Sequence, residues 1–505
     1  MILFLLILIP LIGAFFAWKS EKIGLKVPRF IALFFLLINF FLLIKLFYDK
    51  FLYFSGNARF PFFDEISIPW IKFFGINFHL GIDILSFLMI FLTIFLSLVS
   101  ILLSWNENVK NIGCFYFLIL LIVSNIMGIF LSLDLFLFFT FLEIVCIPIY
   151  FLMIYWGRKH EDYKNCSRIA NEYLIYSQLS GCILFISILG IAIHYYHLNY
   201  TWSFDFHILH YPVKNLFLRN LLICGFLVSF FIKMPIFPFH SWFPNFHKNT
   251  PISGSFDLIG ILIKTSLYGI LRFIICMFPD YMSFIPEFFR CLGLFCIFYG
   301  IFIAFSQKNI KKIIAYTSIS HMGYILIAIY SQSDIAISGI LIQILSYSLS
   351  TTGLIILTRI LYRNFKTYNF QEMMGLWDKM PYVPGFFLFF IMSNLGIPGT
   401  GNFVGEYLML LGGFENFPII TSVSMIGLIF LSVLFLGIFH KIFYGVSNVI
   451  YIKYQMSRLE FFILSNLVVL LLLIGIFPNF LLQVFTCFHF INISRIILII
   501  PTILR

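Results

Sequence analysis

Seven ionisable side chains stand inside runs otherwise built of Leu, Ile and Phe: Glu143, Lys233, Lys264, His321, Glu406, His440 and Lys441. Glu143 falls within SLDLFLFFTFLEIVCIPIYFLMIYW, Lys264 within GSFDLIGILIKTSLYGILRF and His321 within KKIIAYTSISHMGYILIAIY. Lys233 and Glu406 lie beside helix-breaking clusters, Pro235, Pro238 and Pro244 in one case and Gly396, Pro398, Gly399 and Gly401 in the other. A charge at the centre of a bilayer costs about 2.5–3.5 kcal/mol on insertion scales, so such groups face one another or water. Their shared chemistry is the uptake and release of protons. Glu143 is too short to reach an interface from mid-helix and Lys264 would have to stretch, which favours function for both. Lys441 is close enough to a helix end to snorkel, and His321 taken alone reads equally as a hydrogen-bonded core histidine.

The elements that must carry these groups are membrane helices. Hydrophobic residues form 61% of the 505 and charged residues 10%, against about 25% charged in soluble chains. Apolar runs of about 20 residues, each able to cross a hydrocarbon core of about 30 Å, recur along nearly the whole length. The expected fold is an all-α polytopic membrane protein with about fourteen transmembrane helices, near 1–18, 29–48, 84–104, 112–131, 134–156, 171–195, 218–239, 252–275, 286–306, 310–330, 334–361, 384–411, 417–446 and 459–478. The apolar N-terminal run has no basic n-region or cleavage site and reads as a retained first helix. The tail INISRIILIIPTIL either lies on the membrane or spans it. The polar windows 49–83, 157–170, 197–217 and 362–383 are expected as loops. Strands are not expected, because nothing alternates with period two over the ~10-residue segments of a membrane barrel.

The seventh and twelfth spans are interrupted. Proline removes a backbone donor, glycine tolerates unwinding, and broken backbone at membrane depth survives only where protein or a wet cavity satisfies it. A pair of interrupted helices points to a transport site built from two repeats. Glu143 and His321 are 178 residues apart, Lys233 and Glu406 173, Lys264 and His440 176. These offsets suggest two inverted five-helix repeats, 112–275 and 286–446, flanked by N-terminal helices and a loop (1–111) and C-terminal helices (447–505). The prolines do not keep the offset, Pro235 and Pro398 being 163 apart.

Other classes recede. The net charge of +11 resides in short loops beside helix ends, as Lys19, Lys22, Arg158, Lys159, Lys164, Arg168, Arg363 and Lys366, where it anchors and orients a membrane protein. It forms no nucleic-acid-binding stripe. The nine cysteines include no CxxC, which argues against iron–sulfur spacing and a disulfide framework. Gly399-Thr-Gly401-Asn-Phe-Val-Gly405 has the wrong spacing and context for a dinucleotide loop, so any redox cofactor belongs on another chain. His194, His197, His207 and His210 could ligate a metal, but nothing in the sequence makes them converge, and no metal site is expected. The abundant Phe, Ile, Tyr, Asn and Lys share A/T-rich codons, which suggests an organelle genome.

Together LGIDILSFLMIFLTI (80–94), SLDLFLFFTFLEIVCIPIYFLMIYWG (132–157), FIKMPIFPFHSWFP (231–244), GILIKTSLYGILRF (260–273), KKIIAYTSISHMG (311–323) and SNLGIPGTGNFVGEYL (393–408) resemble the antiporter-like, proton-pumping subunits of NADH:ubiquinone oxidoreductase, respiratory complex I. The resemblance covers about 80–445. Glu406, where subunits 2 and 5 have lysine, favours NADH dehydrogenase subunit 4. It implies Glu143 and Lys233 as the charge pair of one half-channel, Lys264 as the central relay, His321 as an intermediate, and Glu406 as the link to the far exit. It also implies neighbours that include antiporter-like subunits 2 and 5 and the lateral helix of subunit 5; with the A/T-rich codon usage, a mitochondrial inner membrane is expected rather than a bacterial plasma membrane. NADH, FMN, iron–sulfur clusters and ubiquinone are then expected on partner subunits. The family's eleventh-helix histidine is Tyr347 here, Asn249 stands where glutamate is common, and Asp257 is an unexpected carboxylate. The alternative within the resemblance is an independent Mrp-type cation/proton antiporter subunit.

Overall fold

The computed structural model describes residues 1–51, 62–105, 110–157, 163–209, 215–251, 256–278, 286–444 and 455–486. The tail 491–504, His210 and the side chain of Asp257 lie outside the described residues. Twelve helices among those described are long and apolar enough to cross a membrane. They run Ile2–Ser20, Val27–Asp49, Ile84–Ser104, Ile112–Leu131, Leu135–Trp156, Cys166–Asn199, Leu216–Lys233, Pro286–Ser306, Ile310–Ile329, Asp334–Phe365, Pro418–Tyr444 and Arg458–Ile476. The eighth expected span occurs as Phe256–Gly269 continued by a π-helical turn, Ile270–Ile274, and Ile275–Met277. The chain is a multi-pass membrane protein.

Local sequence explains where helices start. Asp83 accepts from the amide of Ser86, Asp134 from those of Phe136 and Leu137, and Asn215 from those of Phe217 and Leu218. Each cap satisfies amides that have no partner within the first turn. Ser457 and Glu460 close a reciprocal capping box, and Glu460 also accepts from Arg363 at 2.8 Å.

The two breaks appear where proline and glycine cluster. The seventh helix ends at Lys233 and the chain resumes as the short helix Trp242–Asn249. The Trp242 indole donates to the carbonyl of Ile232 at 3.0 Å, supplying a donor that the interrupted ladder has lost. The twelfth span is split into Val383–Asn394 and Gly401–Asn416. Across that gap Asn402 donates to the Ser350 hydroxyl at 3.0 Å, and Ser350 donates to Asn394 Oδ1 at 2.7 Å.

One element corrects the sequence reading. Within the expected 49–83 loop, Asp64–Ile71 and Ile76–Ile82 pair as an antiparallel hairpin, β1 and β2, with Asp64 opposite Ile82 and Ile71 opposite Ile76. The barrel criterion demanded ~10-residue alternation, whereas these strands have eight and seven residues. Gly75 turns the hairpin with φ +62, and a Cβ there would meet the Trp202 carbonyl oxygen. β2 continues into short ladders: the Leu133 amide donates to His79, and the Phe206 amide to Leu133. The hairpin is thereby fixed to the loop that follows the sixth span.

Candidate functional site

Glu143 is the penultimate residue of the helix Leu135–Ile144. Its Oε1 accepts from Lys233 Nζ at 3.1 Å and its Oε2 from Gln178 at 3.0 Å. The two charged side chains are 17% and 12% exposed, so the pair is mostly withdrawn from its surroundings but not sealed. Gly181 makes the arrangement possible: a Cβ there would stand 2.2 Å from Glu143 Oε1.

A cavity runs from this pair towards the eighth helix, lined by Tyr173, Tyr176, Ser177, Lys233, Leu262 and Thr265. About 30 Å³ of it is open to water centres, room for about two molecules with hydroxyl partners. Leu262 and Thr265 flank Lys264, which is buried and donates to the Ser348 hydroxyl of the eleventh helix. The π-helical turn begins six residues beyond Lys264, and such turns often accompany functional positions.

On the other side of Lys264 lies a second cavity, also about 30 Å³, lined by His247, Lys264, Ser318, Tyr347 and Thr351. The Tyr347 hydroxyl donates to Ser318 at 3.0 Å, and its ring centre is 4.4 Å from that of His321. His321 Nδ1 stands 3.5 Å from Glu406 Oε1, both side chains being at most 5% exposed. Neither imidazole nitrogen makes a hydrogen bond. Glu406 accepts from Gln343 at 3.2 Å. It faces a smaller cavity of about 10 Å³ with Tyr324, Thr421 and Ser424, enough for about one water. Gly396, at φ +66 in the break, leaves space that a Cβ 2.5 Å from Glu406 Oε2 would take.

Glu143, Lys233, Lys264, His321 and Glu406 thus come from five spans onto one polar line, with the eleventh helix supplying Tyr347 and Ser348. His440 and Lys441 do not join it: both are exposed, and Lys441 lies over the Phe370 ring in the last turn of its helix. The third of the near-constant offsets therefore pairs a buried lysine with a surface histidine. Asn249 donates to the Asn245 carbonyl at 2.9 Å and also stays off the line.

Sequence reasoning missed several participants. His247 bonds the Lys311 carbonyl at 3.1 Å, and the buried Lys311 ammonium donates to Thr250 Oγ1 at 3.2 Å. A signal existed: Lys311 and Lys312 open a helix, where the macrodipole disfavours cations, so one of them needed a special partner. His240 meets the Tyr299 hydroxyl at 2.7 Å. Arg272, in the π-helical turn, pairs with Asp83 at 2.5 Å and bonds Ser86 and Tyr268, tying the eighth helix to the third.

Comparison with known proteins identifies the family. The family model described as NADH:quinone oxidoreductase/Mrp antiporter, TM, matches residues 132–432. The chain is 42% identical to NADH-quinone oxidoreductase subunit M of Buchnera aphidicola subsp. Schizaphis graminum, covering 98% of this chain and 99% of the relative. It is 41% identical to subunit M of Escherichia coli K12, over 94% of each. It is 33% identical to NADH-ubiquinone oxidoreductase chain 4 of Chondrus crispus, over 98% and 97%. Among solved structures, a chain of respiratory complex I from Thermus thermophilus superposes with TM-score 0.83 at 23% identity, covering 96% and 97%. A chain of the Mrp complex from Dietzia superposes at 0.79 and 16%, but only 51% of that chain is covered. Membership in the broad family is therefore common to both assemblies, while end-to-end agreement in length and identity is with the complex I chains. The chain belongs to the NADH:quinone oxidoreductase/Mrp antiporter membrane family, within its NADH-quinone oxidoreductase subunit M (chain 4) branch.

Proposed function

We propose that this chain is a proton-translocating membrane subunit of an NADH:quinone oxidoreductase, and that protons pass along Glu143, Lys233, Lys264, His321 and Glu406. The observation that carries the reading is the gathering of ionisable groups from five spans in an apolar interior, Glu143 with Lys233 beside a water-sized cavity that reaches the Lys264 helix at Leu262 and Thr265, and Lys264, His321 and Glu406 close to hydroxyls and two further cavities. Burying that many charges is costly without a role, and a fold stabilised by packing alone has no need of the cavities between them.

The chemistry follows from the contacts. Lys233 donates to the Glu143 carboxylate at 3.1 Å; when that carboxylate withdraws, a proton passes from Lys233 through the first cavity towards Lys264. From Lys264 the path continues by the Ser348 hydroxyl, water beside Tyr347, and His321 to Glu406. Where the family carries an eleventh-helix histidine, a tyrosine hydroxyl here offers both a donor and an acceptor. Moving one charge against about 200 mV takes about 4.6 kcal/mol, and this energy has to come from redox chemistry outside the chain. The partly open Glu143–Lys233 pair is the point at which a neighbour's charge would act on the line.

The proposal extends to the setting. NADH, FMN, iron–sulfur clusters and ubiquinone belong to partner subunits, and the immediate neighbours are other complex I membrane subunits, among them antiporter-like subunits 2 and 5 and the lateral helix of subunit 5. The segments 112–275 and 286–446 form inverted units, each with one broken helix. A mitochondrial inner membrane rests on codon-biased composition alone. A bacterial plasma membrane is the better supported setting, since identity is 42% and 41% to bacterial chains and 33% to the Chondrus chain.

Replacing Glu143 or Lys233 by alanine in the assembled complex tests this. NADH-driven proton uptake by inverted vesicles should fall at least tenfold. Assembled complexes that keep wild-type uptake would defeat the assignment.

A further inference from the structure

A second cluster of ionisable groups lies away from the polar line, where the hairpin meets the loop after the sixth span. Glu65 comes from β1, His79 from β2 and His207 from the loop. His79 Nε2 is 3.5 Å from Glu65 Oε2, His207 Nε2 is 3.4 Å from Glu65 Oε1, and one ligand atom from each residue lies within 4.8 Å of the others. Tetrahedral zinc with bonds of about 2.0–2.1 Å separates its ligand atoms by about 3.3–3.4 Å. Each imidazole is at about that spacing from one Glu65 oxygen, His79 from Oε2 and His207 from Oε1, so the carboxylate would grip the ion through both oxygens or turn slightly to present one.

We propose that Glu65, His79 and His207 form a zinc site that clamps the hairpin to this loop. Asp205 supplies the argument that a bare cluster would lack. Its Oδ2 lies 2.7 Å from His79 Nδ1 and its Oδ1 accepts from the His207 amide at 2.9 Å. A carboxylate on Nδ1 fixes the tautomer whose Nε2 lone pair faces Glu65, the outer-shell arrangement that orients metal-bound histidines. One aspartate therefore aims the first imidazole and holds the backbone of the second. The His207 ring is braced edge-on by Phe62 at 5.4 Å. His79 and Asp205 are buried at 6% and 9% side-chain exposure, while Glu65 is 34% exposed. The cluster is thus enclosed on the His79–Asp205 side and partly exposed at Glu65. Two imidazoles and one carboxylate suit zinc better than magnesium or calcium, which take oxygen ligands.

The same space between His79 Nε2 and Glu65 would hold a bridging proton in place of zinc, and the experiment separates the two occupants. Of the four histidines singled out from the sequence, His207 alone belongs to this cluster among the described residues; His194 and His197 lie at the end of the sixth span.

The test uses the whole purified complex, stripped with chelator, re-equilibrated with Zn2+ and assayed by elemental mass spectrometry. Wild type should hold one zinc more per complex than Glu65→Gln or His207→Asn, and Asp205→Asn should weaken uptake 10- to 100-fold. Hairpin cleavage by added protease should slow on zinc addition in wild type only. Where a histidine variant fails to assemble, Glu65→Gln, altered at the most exposed ligand, still reads the site. Equal zinc content in wild type and Glu65→Gln, or no zinc-dependent protection, would leave only a proton-bridged ion pair and overturn the proposal.

Discussion

The two ends of the polar line hold their charges in opposite ways. At one end Glu143 is matched by a formal cation, Lys233, and both keep some exposure (17% and 12%). At the other, Glu406 is matched by a neutral amide, Gln343, and by an imidazole at 3.5 Å that makes no hydrogen bond, with exposures of 5% and 1%. Removing one member of a buried ion pair strands the other, at a cost of about 3–5 kcal/mol when burial is complete. Neutralising a carboxylate whose partners are neutral strands nothing. The first end therefore couples stability to function, while the second permits loss of function in an intact fold.

The largest effect expected from that contrast is at the first end. Glu143→Ala should lower thermal stability of the complex, by about 2–3 kcal/mol after discounting for partial exposure, as well as cutting proton uptake at least tenfold. The double variant Glu143→Gln/Lys233→Met should recover most of that stability while uptake stays low. Recovery of uptake would show that the pair is structural. Next, Glu406→Gln should leave assembly and melting unchanged while reducing uptake at least tenfold; a parallel loss of both would erase the asymmetry.

Geometry gives two smaller tests. Gly181→Ala puts a methyl where Glu143 Oε1 now stands, and should cost about 1–3 kcal/mol as overpacking with a severalfold drop in uptake. A neutral result would mean that the carboxylate need not occupy this position. Tyr347→Phe removes only the hydroxyl bonded to Ser318 and should slow uptake about two- to fivefold, with Tyr347→His restoring it. If Tyr347→Phe is silent, the middle of the path bypasses this residue.

Much of this was legible before any coordinates. The third, fourth, ninth and tenth spans begin and end within a residue of the expected limits, because Asp83 caps the third, Asn309 caps the tenth and polar residues bound all four apolar runs. The cost of placing charge in hydrocarbon singled out Glu143, Lys233, Lys264 and Glu406, while His321 read equally as a core histidine. Both breaks were legible from proline and glycine chemistry. The hairpin was not, since strands of eight and seven residues outside the bilayer escape a rule built for membrane barrels. His247, Gln343 and Ser348 were not, because neutral polar residues inside a helix carry little penalty and give no warning.

The amino-acid sequence by itself determined that the chain lies in a membrane as helices, where two of them break, and which residues would be expensive there. Those properties follow from transfer free energies and backbone sterics, which depend on residue type and neighbours along the chain. The tertiary structure alone decided which expensive residues meet. It joined Glu143 to Lys233 and His321 to Glu406, left His440 at the surface, and gathered Glu65, His79 and His207 from segments more than a hundred residues apart. Contact between distant segments is set by helix packing, and packing is not written in any local pattern.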